Sequence, residues 1–197
     1  MSEFVVGVTG ASGGLCARNF IRGILTLAQV RRIHVVISQF AHQALRAELG
    51  EVGPGEEGVR RALAGEPSGR VIFHSPDNMA ATISSGSYPT DGMVIVPCSM
   101  GTLGGIASGV STNLIHRAAD VTLKERRPLI LAIRETPLNR IHLRNLVAAS
   151  EAGAVIFPLV PSFYTRPAGI EEILDQFTAR ILDQLRLPHS LGKRWGA

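Results

Sequence analysis

The sequence predicts a three-layer α/β fold, Rossmann-like (flavodoxin-like), built on a mostly parallel sheet of about six strands. Three observations carry that expectation. Apolar runs of strand length recur along the chain. They are continuous rather than alternating, as in strands covered on both faces. Amphipathic stretches separate them, so strand and helix alternate. At 197 residues, 45% hydrophobic and 18% charged, the chain can bury one full core, and a single domain spanning 1–197 is expected.

The elements follow in order. A strand at 4–8 leads through a Gly-rich turn into a helix at 14–29. A second strand at 33–37 precedes a helix at 39–49. Residues 50–69, GEVGPGEEGVRRALAGEPSG, hold six Gly and two Pro around a short helical core at 56–63, and read as a surface excursion. A weaker strand at 71–73 is followed by the polar stretch Ser84-Ser85-Gly86-Ser87-Tyr88. A strand at 93–96 runs into a second Gly-rich turn that enters a helix. Helix 113–126, strand 129–133, helix 139–151, strand 154–157 and helix 170–185 complete the pattern.

Composition excludes several classes of function. The longest apolar runs fall far short of the ~18 residues of a membrane span. The N-terminus carries an acid at Glu3 and no basic stretch, so no signal peptide is visible and a cytoplasmic protein is expected. Cys16 and Cys98 cannot frame a disulfide scaffold. The six His show no metal-binding spacing, so no metal is expected. Twenty basic residues outnumber sixteen acids, but they are scattered, which argues against nucleic acid. A few Arg suffice for a small phosphorylated ligand.

In open α/β sheets ligands bind beyond the carboxyl ends of the strands. The first strand is followed by Gly7-Val8-Thr9-Gly10-Ala11-Ser12-Gly13-Gly14, whose spacing is neither a P-loop nor a dinucleotide fingerprint. Glycines at a helix N-terminus allow close approach of a phosphate. Ser38, not an acid, closes the second strand, which argues against NAD and leaves a mononucleotide open. The turn Pro97-Cys98-Ser99-Met100-Gly101-Thr102 follows the fourth strand, and Arg134-Glu135-Thr136-Pro137 the fifth. No base is placed beside Cys98, which reads as a small buried residue. On the helix at 113–126, Arg117, Asp120, Lys124, Glu125 and Arg126 stand at salt-bridge spacing and read as a solvated face. After the sixth strand Phe163 and Tyr164 sit in a Pro-bounded loop, and Trp195 in a basic tail suits docking on a neighbouring subunit.

Taken together, the motifs GASGG (10–14), SSGSY (84–88), GMVIVPCSMGTL (92–103), NLIHRAADVTLKERRPL (113–129), RETPL (134–138), GAVIFPLVPSFYTRP (153–167) and RWG (194–196) resemble the UbiX-type flavin prenyltransferases nearly end to end. The resemblance implies an enzyme that joins a dimethylallyl group from dimethylallyl monophosphate to N5 and C6 of reduced FMN, without metal. The prenylated FMN would serve a UbiD-type decarboxylase. By position it implies FMN contacts from Gly10, Ala11, Ser12, Ser38, Ser99, Met100, Gly101, Thr102 and Arg134. It implies donor contacts from Gly86, Lys124, Tyr164, Arg180 and Trp195, and catalytic roles for Ser12, Glu48, Lys124 and Glu135. A homo-oligomer, expected to be a dodecamer with sites lined by more than one subunit, follows from the same resemblance. Two alternatives stand beside it: a flavin-dependent cysteine decarboxylase of the same fold, whose flavin-turn and substrate motifs are absent here, and a non-catalytic carrier of prenylated FMN.

Overall fold

The computed structural model describes residues 1–50, 52–65 and 69–196. A six-stranded sheet, parallel throughout, has the order β3-β2-β1-β4-β5-β6. Its strands are β1 (Ser2–Val8), β2 (Val30–Ile37), β3 (Val71–His74), β4 (Gly92–Cys98), β5 (Leu129–Ile133) and β6 (Val155–Pro158). The helices are α1 (Gly14–Leu25), α2 (Ala41–Glu48), α3 (Gly55–Ala64), α4 (Met100–Ala107), α5 (Leu114–Lys124), α6 (Arg140–Glu151) and α7 (Ile170–Gln184).

Alternate side chains of the buried strands feed two cores. Phe4, Val6 and Val8 of β1 pack with α1, α2, α3 and α7. Val5 of β1, with Met93 and Ile95 of β4, packs with α4 and α5 on the other face. The three layers expected from sequence are therefore present, and the apolar runs are continuous because both faces are covered.

Boundaries differ from expectation where nonlocal contacts decide them. β2 starts at Val30, three residues before its apolar run, because Ser2 and Glu3 of β1 pair with Val30 and Arg32. The first helix stops at Leu25 rather than 29 because the Arg70 guanidinium donates to the carbonyls of Leu25, Leu27 and Val30. In the excursion at 50–69, Glu51 and residues 66–68 lie outside the described residues. The expected helical core is α3, packed on α1 through the fully buried Val59 and Leu63. A 3-10 turn, Thr82–Ser84, was not foreseen.

A polar cluster lies under the amino ends of β1 and β2. Glu3 is 3% exposed and His34 1%. Tyr88 Oη donates to Glu3 Oε2 at 2.6 Å, His34 Nε2 stands 3.2 Å from the same oxygen, and Arg31 forms an ion pair with Oε1. His34 Nδ1 lies 2.9 Å from His74 Nε2 in stacked rings. Burial alone raises the Glu3 carboxyl, but hydrogen bonds from Tyr88, His34 and Arg31 outweigh it and hold the group below its ordinary value. Burial pushes both His34 and His74 down.

These shifts fix the sign of the pH dependence. As pH falls through the ordinary imidazole value of 6.5, the unfolded chain takes up protons that the folded pair refuses. Below 4.5 the unfolded Glu3 carboxyl protonates first while the folded one stays ionised. Both effects make stability fall with pH. Urea midpoints at about pH 7.5 and 5.5 test this: His34→Gln, which keeps an N–H for Glu3 but does not titrate, is expected to show a smaller drop than wild type. An equal drop assigns the pH dependence to other groups.

Candidate active site

The strand order reverses direction between β1 and β4, and the turns that follow these two strands meet there. Buried Thr9 joins them. Its Oγ1 donates to the Pro97 carbonyl at 2.8 Å and accepts from the Ser99 N–H at 2.8 Å. Gly10 lies against the segment that leaves β2; a Cβ here would stand 2.9 Å from Phe40 Cβ and 3.2 Å from the Phe40 carbonyl. Ser38 follows β2, with its N–H on the Val8 carbonyl at 2.9 Å. Ser99 caps α4, accepting from the Thr102 N–H at 3.3 Å. A Cβ on Gly101 would meet nothing within 4 Å. Arg134, after β5, donates from Nε to the Ser12 carbonyl at 3.0 Å.

The residues expected at the flavin thus converge on one crevice: Gly10, Ala11, Ser12, Ser38, Ser99, Met100, Gly101, Thr102 and Arg134 all follow the carboxyl ends of β1, β2, β4 and β5. The buried Ser38 Oγ has no hydrogen-bond partner among the described residues. A buried hydroxyl without a partner is costly, and a ligand with phosphate or hydroxyl groups would satisfy it.

Glu48, expected to be catalytic, stands at the turn that carries Ser12. It ends α2 and turns its carboxylate onto the start of α1. There Oε2 accepts from the Gly13 N–H at 2.9 Å and the Gly14 N–H at 2.6 Å, and Oε1 stands 3.2 Å from Gly13 N. The helix has no local side-chain cap. The donors that the Gly-rich turn was expected to offer a phosphate at Gly13 and Gly14 are therefore engaged by a carboxylate of the protein, which the positive end of the helix favours.

A second group forms beyond β6. The loop begins at Leu159, 3.7 Å from a Cβ placed on Gly13, and continues to Tyr164. The tail folds back on α7, with Lys193 Nζ 3.2 Å from Glu172 Oε2 and Arg194 Nη2 2.9 Å from Asp183 Oδ1. Trp195 meets Tyr164 of its own chain edge to face, with ring centroids 5.1 Å apart. A cavity of about 400 Å³ opens between them, lined also by Gln176, Asp183, Arg180, Lys193 and Arg194. The Gln176 side chain donates to Thr165 Oγ1, while its buried Oε1 has no partner among the described residues. Tyr164, Arg180 and Trp195 are thus brought together. Sequence reasoning missed Asp183, Lys193 and Arg194; the tail gave only a basic composition as a signal.

Lys124 and Gly86 lie elsewhere. Lys124 ends α5 ahead of β5, and Gly86 precedes β4, so both flank the amino ends of the strands. A Cβ on Gly86 would collide with the side chains of Lys124 and Glu125, which form an ion pair. Arg117 pairs with Asp120 at 2.7 Å, as the solvated-face reading expected. Glu135 is exposed at the carboxyl edge, accepting from the Thr136 N–H at 3.0 Å. Burial raises the Cys98 thiol to about 12, and burial with Glu48 nearby raises Cys16 to about 11, so neither is an activated nucleophile. Among the described residues no cluster of His, Cys, Asp or Glu could hold a metal ion, and no helix is long and apolar enough to cross a membrane.

Comparison with known proteins gives the family and the fold. The flavoprotein family model matches residues 2–182. The flavin prenyltransferase UbiX of Salmonella typhimurium is 44% identical over 201 residues, covering 99% of this chain and 98% of the relative. Among solved structures, AnUbiX (PadA1) in complex with FMN and dimethylallyl pyrophosphate superposes with a TM-score of 0.88 at 42% identity, covering 100% of this chain and 98% of that one. A dodecameric FMN-dependent UbiX-like decarboxylase from Escherichia coli O157:H7 gives 0.87 at 39% identity, covering 99% and 100%. The cysteine decarboxylase TvaF, at 18% identity and a TM-score of 0.60 over 94% of this chain and 99% of its own, shares the fold alone.

The Glu48 contacts predict a structural effect. Glu48→Ala leaves two N–H groups at the start of α1 without their acceptor and is expected to cost about 1–3 kcal/mol, or ~2–4 °C in Tm for each kcal/mol in a chain of this size. Glu48→Gln, which keeps an acceptor, is expected to lose less. An unchanged melting temperature in Glu48→Ala would mean that the carboxylate does not serve as the cap.

Proposed function

The chain belongs to the UbiX flavin prenyltransferase family, and from that premise we propose how its residues perform the transfer of a dimethylallyl group to reduced FMN. The protein is a prenyltransferase. The observation that carries the residue-level reading is the cavity in which Arg180, Lys193 and Arg194 face the Tyr164–Trp195 pair.

An allylic phosphate ionises when its leaving oxygens are stabilised and its cation is not quenched by water. Arg180, the Tyr164 hydroxyl and Lys124 supply donors for the phosphate and make a metal dispensable. The aromatic faces of Tyr164 and Trp195 suit the allylic cation. FMN would be held along the crevice between β1 and β4, where Ser38 Oγ would gain the partner it lacks and the open space over Gly101 would admit the ligand. Arg134 and Ser12 hold the flavin edge, with Ser99, Met100 and Thr102 at the other turn. The reduced flavin supplies N5 and C6 as the atoms that receive the dimethylallyl group. Bond formation at N5 breaks the carbon–oxygen bond to phosphate and releases the N5 proton; closing the ring onto C6 then needs a proton delivered to the remaining double bond and the C6 proton taken away, exchanges that Glu135 or the freed phosphate would carry. Dimethylallyl monophosphate is the proposed donor; the relative AnUbiX was solved with the pyrophosphate. A UbiD-type decarboxylase is the proposed recipient of the product.

Lys124 and Gly86 flank the amino edge of the sheet, whereas the flavin crevice lies at the carboxyl edge. We therefore read the complete site as shared, with the amino edge of one copy brought to the carboxyl edge of another in a homo-oligomer. A dodecamer, the assembly of the E. coli relative, is the proposed form.

Single-turnover prenylation tests this reading. Lys124→Ala is expected to slow the reaction roughly thirty- to thousandfold, the loss of ~2–4 kcal/mol of charge stabilisation, while FMN binding is retained. Mixed oligomers of Lys124→Ala and Arg180→Ala, each nearly inactive alone, are expected to regain activity because some sites draw both intact residues from different copies. A Lys124→Ala rate within about threefold of wild type would return Lys124 to the solvated face that its sequence suggests.

A further inference from the structure

The cavity beside Tyr164 contains a carboxylate that the transfer chemistry does not use. Asp183, one turn beyond Arg180 on α7, has a side chain only 20% exposed. Its Oδ2 accepts from Arg180 Nη1 at 2.7 Å, and its Oδ1 from Arg194 Nη2 at 2.9 Å. Arg194 Nη1 lies 3.4 Å from Oδ2, and His189 Nε2 3.1 Å from Oδ1. One carboxylate thus holds two guanidiniums, one from the helix and one from the tail, on the same wall. Burial raises the Asp183 carboxyl, but the hydrogen bonds from Arg194, His189 and Arg180 outweigh it, so the group stays charged at neutral pH.

Two arginines converging on one point make a strong anion position. Here that position is filled by the protein. Arg194 commits both terminal nitrogens to Asp183, and Arg180 one of its two. Lys193 is likewise matched by Glu172. Three cations against two carboxylates leave this wall with an excess of one positive charge.

We propose that Asp183 is the specificity-determining residue of the donor site, occupying the place of a second phosphoryl group and so favouring a phosphate monoester over a diphosphate. The proposal rests on the reading of this cavity as the donor site. Two effects act in the same direction. A diphosphate carries more negative charge than a monoester, so it meets more repulsion from a fixed carboxylate. Its outer phosphoryl group also needs the arginine donors that Asp183 already engages. Arg194 becomes, by the same argument, a donor-site residue positioned through Asp183.

The test compares dimethylallyl monophosphate with dimethylallyl diphosphate as donors for reduced FMN, in wild type and Asp183→Asn, with kcat/KM measured for each. The variant is expected to shift the ratio toward the diphosphate by roughly three- to tenfold. Calorimetric binding of inorganic phosphate and pyrophosphate to the same proteins, without flavin, is expected to shift in the same direction. If both donors lose equally and both anions bind in an unchanged ratio, Asp183 is a structural ion-pair partner and the proposal is overturned. Should Asp183→Asn fail to fold, Arg194→Gln decides: the diphosphate should suffer more than the monophosphate, and equal losses overturn the proposal. A wild type that binds FMN but transfers from neither donor, and binds neither anion in this cavity, instead overturns the reading of the cavity itself.

Discussion

The Thr9 hydroxyl ties together the two turns on which the proposed flavin crevice depends. It donates to the Pro97 carbonyl and accepts from the Ser99 N–H, both at 2.8 Å, with Thr9 itself only 2% exposed. A parallel sheet opens at its carboxyl edge where the strand order reverses, and here that point falls between β1 and β4. Without a link, the two turns would be free to splay, and Ser12 and Ser99 would lose their common orientation. A buried hydroxyl that both donates and accepts is well suited to this task, because each bond is protected from water. Arg134 extends the same framework to the β5 turn through the Ser12 carbonyl.

From this crevice the chemistry divides by edge. The carboxyl edge of one chain carries the flavin turns, Arg134 and Glu135, and the loop after β6 leads from there to the cavity of Tyr164, Arg180 and Trp195. The amino edge carries Lys124 and Gly86, held by Arg127, which donates to the carbonyls of Gly86 at 2.8 Å and Tyr88 at 3.0 Å. The buried Glu3–Tyr88 hydrogen bond fixes the same loop from below. Each edge is cross-linked by its own hydrogen bonds, which suits the proposed meeting of two copies around a positioned phosphate. In the proposed shared site, self-association is part of the catalytic design.

Much of the architecture was legible in the sequence because strands buried on both faces leave continuous apolar runs, as at 33–37 and 129–133. The first turn was legible because its glycines are required: at Gly10 the Phe40 backbone comes too close for a side chain. What escaped was nonlocal. The role of Glu48 at the α1 N-terminus joins residues 34 and 35 apart in sequence. The end of α1 depends on Arg70, which follows the excursion. Asp183 and Arg194 read as an ordinary helix acid and a loose basic tail until the tail folds back to pair them. The edge-to-face contact of Trp195 with Tyr164, which leaves most of the indole exposed, was not legible either. Lys124 could be assigned to the donor site only through resemblance, since its helix has the charge spacing of a solvated face and its ion pair with Glu125 is what such a face would show.

The central claim is that these side chains, without a metal ion, transfer a dimethylallyl group to FMN. Its most direct test is mass spectrometry of the flavin after the purified, chelator-treated protein is incubated anaerobically with reduced FMN and dimethylallyl monophosphate. The account predicts that the flavin gains the mass of one dimethylallyl group less the one hydrogen it displaces, with the chelator still present. Recovery of unmodified FMN, or a mass gain that appears only when a divalent cation is restored, would contradict it.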